Sequence, residues 1–392
     1  MKIAFIVEHL DPNRGGMERS VVDFLTELAA SGAEVHVMTQ TSAWSFPGIH
    51  VHLLGAAGWT DESQYKNFVL RAQALVTSQQ WDVVHAIRPC MSCDIYQPRG
   101  GLVKTGQDRT IATRRSGLFK IFRRIGLLFD GKERLLVSLE HRLLKNTIPP
   151  LVIVPSEYVR RQLEERYSLP DEHVRRVFNG VRVEVPEQVA RGQARQRLRE
   201  TFSLPEPKLV AIFVGHNFRR KGLARMIESL ARPAAQAWHL LVVGRGAVAQ
   251  YERYAEQLGV SDRIRFVGSR PDVWGLYCAA DVCVLPTYND PCSRTILEAL
   301  SLGLPCITTA YDGSSECIRD GEHGFVIDSP ESIDALANAL EKLSDASTRR
   351  YMSEQATALG SFLSMRRHAT EVFELYRDIA ARRSLHNRAG SA

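Results

Sequence analysis

Short apolar segments alternate with longer amphipathic ones along this chain, and the alternation runs twice. The first series spans residues 2–178 and the second spans residues 209–308. The short segments are bounded by Gly, Pro or Asn, which is typical of buried strands, and the longer ones have helical spacing. Strands that alternate with helices form a parallel sheet covered on both faces. The sequence therefore predicts an α/β fold of two Rossmann-like domains that face each other across a cleft.

The length of the chain also favours two domains, because 392 residues exceed what one hydrophobic core normally supports. Between the two series, the stretch 185–205 is polar and flanked by prolines, so we place the boundary there. The predicted domains are residues 1–185 and residues 186–364. The final amphipathic helix, 365–382, is predicted to pack back on the first domain.

Composition indicates a cytoplasmic globular protein. The apolar content of 44% and the charged content of 24% are ordinary for that class. No apolar run approaches the ~20 residues of a membrane span, and the run at the start is too short for a signal peptide. Cys90 and Cys93 have half of a zinc-site spacing, but no second cysteine pair accompanies them. We therefore expect structural thiols and no metal site.

Two carboxylates, Asp290 and Glu298, flank the start of a predicted helix that follows a short buried strand. The N–H groups of residues 292–295 lie at the positive end of the helix dipole, which favours phosphate or pyrophosphate. An acidic N-cap with an interior Glu would have the same spacing without any ligand. The further residues assigned to ligand binding here are Ser293, Arg294 and Thr295.

Three cations follow the first strand of the second domain. Arg219, Arg220 and Lys221 lie between Gly215 and Gly222, at a predicted strand end. Ligands of parallel sheets bind at the carboxyl edge, where Arg and Lys neutralise phosphate charge. The alternative is a group of solvated surface cations. The position between two glycines favours a phosphate clamp.

Glycine turns follow two further strands. Gly15 and Gly16 open the first predicted helix with free N–H groups, and Gly268 with Arg270 ends a strand where the backbone is placed to hold a flat base. The first turn is not Gly-x-Gly-x-x-Gly, and no acidic residue ends the second strand. Both departures argue against a nicotinamide-dependent oxidoreductase.

In their order and spacing, these motifs resemble the retaining glycosyltransferases of family 4, which have the GT-B fold. The resemblance covers essentially the whole chain. It rests on Gly15-Gly16, Asn179-Gly180-Val181, Gly215 to Gly222, Val243-Gly244, Phe266-Val267-Gly268 and Asp290 to Glu298. The string Phe218 to Gly222 and the tripeptide Asp94-Ile95-Tyr96 are most similar to the lipopolysaccharide core glucosyltransferase I group.

The resemblance implies an acceptor-binding first domain and a nucleotide-sugar-binding second domain. It implies that Arg220 and Lys221 hold the donor diphosphate, with backbone support from Gly15 and Gly16. It further implies that Glu298 binds the ribose hydroxyls and Asp290 the donor sugar.

Two positions depart from the family pattern. The family usually has Glu at the position of Asp290, and residues 97–101 lack the acidic residue expected near the reacting carbon. His85 or Asp94 is then the polar group in that place. A strand-end histidine with no catalytic role is an equal interpretation of His85.

The chemistry follows from the charges. Departure of a diphosphate from an anomeric carbon builds negative charge on the leaving group, which Arg220, Lys221 and the helix start before Thr295 can stabilise without a metal. The sequence has no Asp-x-Asp motif for Mg²⁺ or Mn²⁺. We expect no cofactor, since the nucleotide-sugar donor is a substrate.

The basic character of the chain is local. Nine Lys or Arg and three acidic residues occupy 114–145, and this surplus equals the whole net charge of +6. On a helical wheel of residues 118–129, Phe119, Phe122 and other apolar side chains share one half, opposite Lys120, Arg123 and Arg124. A basic amphipathic helix of this kind is typical of membrane-surface binding through 114–142. The alternative is a core-facing helix with a solvated basic face; nucleic acid is disfavoured, because Trp and Tyr do not interleave with the cations.

Together these features predict a cytoplasmic, retaining hexosyltransferase, peripheral on the inner face of the membrane. It moves a hexose, with UDP-glucose favoured, to a membrane-associated glycan or glycolipid acceptor such as lipopolysaccharide core. Two alternatives stay open: GDP-mannose or another UDP-sugar as donor to a lipid or polysaccharide, and a non-enzymatic, basic membrane-surface binding protein on a transferase fold.

Overall fold

A computed structural model describes residues 1–113, 117–183, 187–204, 206–270 and 273–389 of the chain. The chain divides into two compact units. The first combines Met1–Gly180 with the segment from Met365 onward, and the second is Val181–Ser364. The boundary predicted between residues 185 and 186 lies outside the described residues.

The first unit is built on a seven-stranded parallel sheet. Its strand order is β5-β3-β1-β6-β7-β8-β9, and β2 pairs with β4 in a separate two-stranded sheet. The strands are β1 Lys2–Ile6, β2 His9–Leu10, β3 Glu34–Thr39, β4 Thr41–Ser42, β5 Ile49–Leu53, β6 Val83–Ala86, β7 Ile95–Tyr96, β8 Leu151–Val154 and β9 Val174–Arg176. The helices are α1 Gly16–Ala30, α2 Asp61–Ser78, α3 Val103–Ala112, α4 Gly117–Phe129, α5 Gly131–Leu144 and α6 Glu157–Tyr167.

The second unit is built on a six-stranded parallel sheet in the order β12-β11-β10-β13-β14-β15. Its strands are β10 Leu209–Val214, β11 Trp238–Val243, β12 Ile264–Gly268, β13 Val282–Leu285, β14 Cys306–Thr309 and β15 Gly324–Ile327. Its helices are α7 Gln188–Thr201, α8 Leu223–Leu230, α9 Val248–Gln257, α10 Trp274–Ala279, α11 Arg294–Ser301, α12 Ile333–Lys342 and α13 Ala346–Ala358. Short 3-10 helices occupy Asp171–His173 in the first unit and Pro233–Ala235, Ser261–Arg263 and Gly313–Cys317 in the second.

The sequence explains why both sheets are parallel and buried. Strand β10 reads Leu-Val-Ala-Ile-Phe-Val, a continuous apolar run, because helices cover both faces of the sheet. In β1 only Lys2 is polar, and the four residues after it are buried. The predicted α/β fold of two Rossmann-like units is confirmed.

The last helix, α14 Met365–Ala389, belongs to the first unit and packs against α1. Its Val372 and Tyr376 are fully buried in the same cluster as Phe5 and Phe24 of β1 and α1. Among the described residues, no helix combines the length and the apolar content needed to span a bilayer.

Candidate active site

In the second unit, the strand order reverses between β10 and β13. β10 continues to β11 and β12 on one side, whereas β13 continues to β14 and β15 on the other. Loops that leave the carboxyl ends of two such strands diverge, and the crevice between them is where sheets of this type bind ligands. The two loops here are 215–222 and 286–293, which carry both charged motifs of the sequence.

The two loops meet in an ion pair between Lys221 and Asp290. The Nζ of Lys221 hydrogen-bonds Oδ2 of Asp290, and each side chain is 12% exposed. The backbone fixes Asp290 as well, because its N–H donates to the Tyr311 carbonyl at 2.9 Å. The sequence-predicted cation and carboxylate are therefore neighbours at the switch point of the sheet.

Gly222 allows the two loops to approach each other. Its φ is 80°, and a Cβ atom there would lie 1.9 Å from the carbonyl oxygen of Pro286. Only glycine satisfies both conditions. The carbonyl of Arg220 then accepts hydrogen bonds from the Tyr288 N–H at 2.9 Å and the Thr287 hydroxyl at 3.1 Å.

Two buried polar atoms at this site have no hydrogen-bond partner among the described residues. They are Nε of Arg220 and Oγ of Ser293. Ser293 precedes α11 as its N-cap, yet its side chain makes no capping hydrogen bond. Buried polar atoms of folded proteins are normally satisfied, so both atoms are candidates for contact with a polar ligand.

A second carboxylate, Asp312, lies behind Asp290 and was not anticipated from the sequence. It is fully buried and accepts hydrogen bonds from the backbone N–H groups of Ser293 at 3.1 Å and Ser314 at 2.9 Å, and from the Thr308 hydroxyl at 2.9 Å. Burial, together with the charge of Asp290, raises the pKa of Asp312 to about 6, against the opposing effect of the hydrogen bonds from Ser314. The only signal in the sequence is its position after the apolar strand β14.

Glu298 lies on α11, where two neighbours orient its carboxylate. Arg294, one turn earlier, donates to Oε1 at 2.8 Å, and the Tyr277 hydroxyl donates to Oε2 at 3.3 Å. Burial and the Glu298 charge raise the pKa of Tyr277 well above its usual range, so this hydroxyl stays a donor. Thr295 donates to the Val214 carbonyl at 3.2 Å, which joins α11 to the end of β10.

The ends of β11 and β12 border the same edge. The carbonyl of Gly268 accepts from the Gly244 N–H at 2.8 Å, and a Cβ on Gly244 would lie 1.9 Å from the carbonyl oxygen of Gly215. Gly244 is thus required for loop packing. Gly268 and Arg270 are exposed at the end of β12, and a Cβ on Gly268 would meet nothing within 4 Å. Binding of a flat base at this place stays a prediction.

In the first unit, His85 lies one residue before the carboxyl end of β6, but its side chain is packed in the core, and Asp94 precedes β7. His85 is 0% exposed, its Nδ1 is 2.5 Å from the Tyr376 hydroxyl, and its ring contacts Phe5. Burial, helped by the Arg99 charge, holds the pKa of His85 well below its usual range. The packing role of His85 is therefore the one that the contacts support.

Asp94 immediately precedes β7, which places it at the amino end of that strand. Its carboxylate accepts from the Val84 N–H at 2.7 Å and from Arg383 of α14 at 2.6 Å. These contacts attach α14 to the sheet. The geometry therefore gives no support to a role of Asp94 near the reacting carbon.

At the carboxyl edge of the first unit, Glu8, Arg88 and Lys132 form a charged cluster that the sequence did not reveal. Glu8 follows β1 and Arg88 follows β6, the neighbours at which the strand order of this sheet reverses. Lys132 of α5 bonds Glu8, which is 4% exposed. Burial alone would raise the pKa of Glu8, but hydrogen bonds from His9 and Lys132 and the nearby positive charges lower it to about 2.

Gly15 and Gly16 begin α1 in the same unit. Gly15 is the N-cap in extended backbone, and no side chain caps the helix there. The first N–H groups of α1 are thus not capped by a side chain, and their role in binding an anion stays a prediction.

Two family descriptions together cover most of the chain. Residues 14–185 match Glycosyltransferase Family 4, and residues 194–359 match Glycosyl transferases group 1. The chain belongs to the family 4 glycosyltransferases. This membership confirms the resemblance drawn from the glycine and carboxylate motifs, and it leaves the nicotinamide alternative without support.

Relatives of this family 4 glycosyltransferase include two kinds of enzyme. The lipopolysaccharide glucosyltransferase WaaG of Escherichia coli (strain K12) is 34% identical over 187 residues, which are 47% of this chain and 47% of WaaG. A D-inositol 3-phosphate glycosyltransferase of Corynebacterium kroppenstedtii is 29% identical over 255 residues, which are 61% of this chain and 55% of that enzyme. The chain thus spans about half the length of these curated relatives.

The fold comparison covers nearly the whole family 4 chain. A crystal structure of WaaG, described as a glycosyltransferase involved in lipopolysaccharide biosynthesis, superposes with a TM-score of 0.79 at 23% identity, covering 95% of this chain and 99% of WaaG. This match confirms the predicted GT-B fold.

Helix α4 of this glycosyltransferase carries most of its described apolar side chains on the surface. Ile121 is 53% exposed, Phe122 60%, Leu128 64% and Phe129 83%. The helix contacts α3 and α5, and Leu127 lines a groove with Ile111 and Val137 of those helices. The predicted basic segment also includes Arg114 and Arg115, which lie outside the described residues, as do the side chains of Phe119, Lys120 and Arg123.

Proposed function

We propose that this protein is a retaining, metal-independent hexosyltransferase that moves a hexose, with UDP-glucose as the favoured donor, to a membrane-associated glycan such as lipopolysaccharide core. The observation that carries the donor half of the proposal is the convergence of Lys221, Asp290 and the start of α11 at the switch point of the second sheet. A scaffold protein on this fold has no use for a buried cation and an uncapped helix start at that place.

The leaving group is the centre of the proposed chemistry. The bond from the anomeric carbon to the diphosphate oxygen breaks, and its electron pair leaves with the nucleoside diphosphate. Lys221, Arg220 and the first N–H groups of α11 stabilise the charge that develops there. Because these donors are already held in place by the loop contacts, little reorganisation accompanies the reaction.

The acceptor hydroxyl attacks from the face that the diphosphate leaves, so the configuration at the anomeric carbon is retained. The new bond joins the acceptor oxygen to the anomeric carbon, and the hydroxyl proton passes to the departing phosphate oxygen. In this scheme no side chain acts as a base. The buried, core-packed state of His85 is compatible with it.

Glu298 is proposed to hold the donor through its ribose. Arg294 and Tyr277 orient the carboxylate, and 20% of the Glu298 side chain is exposed to a ligand. Asp290 is proposed to face the donor sugar, with Lys221 shared between the carboxylate and the diphosphate. Ser293, Thr295, Gly268 and Arg270 border the same edge and complete the proposed donor site.

The acceptor half of the proposal rests on the first unit. Arg88 and Lys132 at the carboxyl edge offer positive charge to an anionic acceptor. Nε of Arg88 lies 3.8 Å from Oε2 of Glu8 and makes no hydrogen bond among the described residues. Gly15 and Gly16 supply the helix start proposed to support the diphosphate. WaaG acts on lipopolysaccharide by its name, and that acceptor is the one we favour.

Helix α4 is proposed to hold the enzyme at the cytoplasmic face of an anionic membrane. Its exposed Ile, Leu and Phe side chains would enter the interface between headgroups and acyl chains, with Arg124, Arg134 and Arg142 exposed around them. The core-facing alternative requires these apolar side chains to be buried, and they are not.

A panel of nucleotide-sugars tests the proposal. Thermal shift with UDP-glucose, other UDP-sugars and GDP-mannose identifies the donor, and anomer-resolved product analysis in chelator-treated buffer tests retention and metal independence. Transfer to lipopolysaccharide core is the expected result. Transfer only to an inositol phosphate would redirect the acceptor assignment towards the second kind of relative, and failure of every donor to bind or to be turned over would leave the non-enzymatic surface-binding alternative.

A further inference from the structure

Three histidines and a glutamate converge at the amino end of the first sheet, outside the proposed transferase site. Strands β3 and β5 pair in parallel with His36 opposite His50. Side chains two residues apart in a strand share a face, so Glu34 joins His36 and His52 joins His50 on one face of the sheet. The cluster lies at the edge of the sheet, because β5 is its outermost strand.

The donor atoms of this cluster are close enough to share one ion. One ligand atom each from Glu34, His36 and His50 lie within 4.8 Å of one another. A tetrahedral ion with bonds of ~2.0–2.1 Å places its ligand atoms roughly 3.3–3.4 Å apart. His36 is buried, whereas Glu34 and His50 are exposed. The two exposed side chains have room for the small movement that brings the ligand atoms to these distances.

His52 contacts the second ring nitrogen of His36. Its Nε2 is 2.9 Å from Nδ1 of His36, and Nε2 of His36 is 2.8 Å from the carboxylate of Glu34. With Nε2 of His36 on an ion, the Nδ1–H donates to His52, which is how metal-ligating histidines are usually oriented.

The nearby cation is engaged with groups other than the Glu34 carboxylate. Lys2 of β1 is the nearby cation, and its Nζ bonds Gln79 at 3.1 Å and lies over the Trp81 ring at 4.7 Å. The edge of the His36 ring also packs against Trp81, at 5.0 Å between ring centroids. The set thus combines one buried ligand against Trp81 with two exposed ligands.

We propose that Glu34, His36 and His50 bind one divalent transition-metal ion, with Zn²⁺ as the representative species, and that His52 positions His36 through its second nitrogen. Two imidazoles and a carboxylate are a ligand set that zinc commonly takes. The ion would join β3 to the edge strand β5 and protect that edge. The site lies at the opposite end of the strands from Glu8, so it is separate from the proposed transfer chemistry.

Calorimetric titration of the full-length protein, purified without a polyhistidine tag, with ZnCl₂ tests the inference. The expected result is one equivalent of Zn²⁺, a melting temperature that rises with added Zn²⁺, and at least a tenfold loss of affinity in Glu34→Gln and in His50→Ala. Both changes are at exposed side chains, so the variants should fold. His52→Ala should lose about 10–100-fold, the effect typical of removing such a supporting contact.

His173→Ala is the matched control, since His173 lies in a surface 3-10 helix of the same unit. This variant should bind Zn²⁺ as the wild type does. Failure of the wild type to bind one equivalent would overturn the inference. So would Glu34→Gln and His50→Ala variants that bind Zn²⁺ with unchanged affinity, because the ion would then lie elsewhere.

Discussion

Lys221 is the side chain whose loss should affect transfer most directly. Lys221→Ala should lower the transfer rate about 10²–10³-fold, the usual effect of removing one preorganised charge stabiliser. The change also leaves Asp290 beside Asp312 without a cation, so the melting temperature should fall. Initial rates at saturating donor measure the first effect, with Lys208→Ala as the control; wild-type turnover in Lys221→Ala would contradict the assignment.

Loss of the Glu298 carboxylate should weaken binding of the nucleotide alone. A carboxylate that accepts from ribose hydroxyls makes charge-assisted bonds of roughly 1.5–3 kcal/mol each. Glu298→Gln should therefore weaken binding of free UDP or GDP by about 10–100-fold, which calorimetry measures. Equal affinity of wild type and variant for both nucleotides would reject this role.

Asp312 should make stability depend on pH in an unusual direction. Its pKa in the folded protein is about 6, above the ordinary 3.8, so the folded state binds the proton more tightly than the unfolded state. This group therefore adds stability as the pH falls from about 6 towards 4. Asp312→Asn keeps an acceptor for the Ser293 and Ser314 N–H groups and removes the charge.

The variant Asp312→Asn should accordingly be more stable than wild type at pH 8, and the difference should shrink as the pH falls below 6. Urea unfolding at pH 8 and at pH values below 6 measures this difference in stability. A difference that stays constant with pH, or a variant less stable at pH 8, would show that burial of the charge is not the dominant effect.

The sequence could place a residue in the structure only where its position along the chain also fixed its position in space. Lys221 and Asp290 follow apolar strands, and the carboxyl ends of parallel strands meet at one edge. His85 is also near a strand end, but its partner Tyr376 lies 291 residues later, and periodicity contains no such pairing. Lys132 was missed for the same reason, because it lies 124 residues after its partner Glu8. Glu8 and Arg88 follow β1 and β6, so the sequence did carry a strand-end signal for these two residues.

At the scale of elements, α4 is the helix whose environment decides its function. Vesicle sedimentation should show binding to anionic vesicles, little to neutral ones, and partial retention at high salt, because apolar contacts are not screened. Phe122→Ser with Phe129→Ser should remove the salt-resistant part with little change in melting temperature, since both side chains are exposed.

The charged side chains of the same segment provide the complementary variant. Changing Lys120, Arg123 and Arg124 to Ser should remove the part of binding that depends on anionic lipid. Equal sedimentation with neutral and anionic vesicles would refute the electrostatic contribution. Unfolding of the double Phe variant would instead support the core-facing alternative.

Element boundaries in this region were less predictable than the helical character. The basic segment looks continuous in the sequence, but α4 ends at Phe129 and Asp130 caps α5 by accepting from the Glu133 N–H at 3.1 Å. An Asp-Gly pair between two apolar segments is only a weak signal of a helix boundary. The Asp130 cap becomes clear only when the hydrogen bond is seen.

For the whole molecule, the proposal predicts that the two units divide the substrates between them. Arg88→Ala in the first unit should raise the KM for the acceptor and leave nucleotide affinity unchanged. Glu298→Gln in the second unit should weaken nucleotide affinity and leave the KM for the acceptor unchanged. Steady-state kinetics with each substrate varied in turn measure the split; equal effects of both variants on both substrates would contradict it.

The two-sheet architecture was the most predictable property of the chain, because each buried strand carries its own apolar signature. Register was not predictable in this way. The pairing of His36 with His50 brings together residues that are unremarkable in sequence, and the sequence accordingly predicted no metal site. Pairing between strands depends on the whole sheet, which local patterns do not describe.

The return of the chain to its first unit has a consequence for biosynthesis. The second unit is one uninterrupted segment, whereas the core around Phe24 contains Tyr376. At ~5–20 residues per second, residue 376 leaves the ribosome roughly 10–40 s after residue 180. The last residue of the second unit, Ser364, precedes Tyr376 by only 12 residues, so the first sheet lacks a helix throughout the synthesis of the second unit. The first unit, although begun first, should therefore complete its core last.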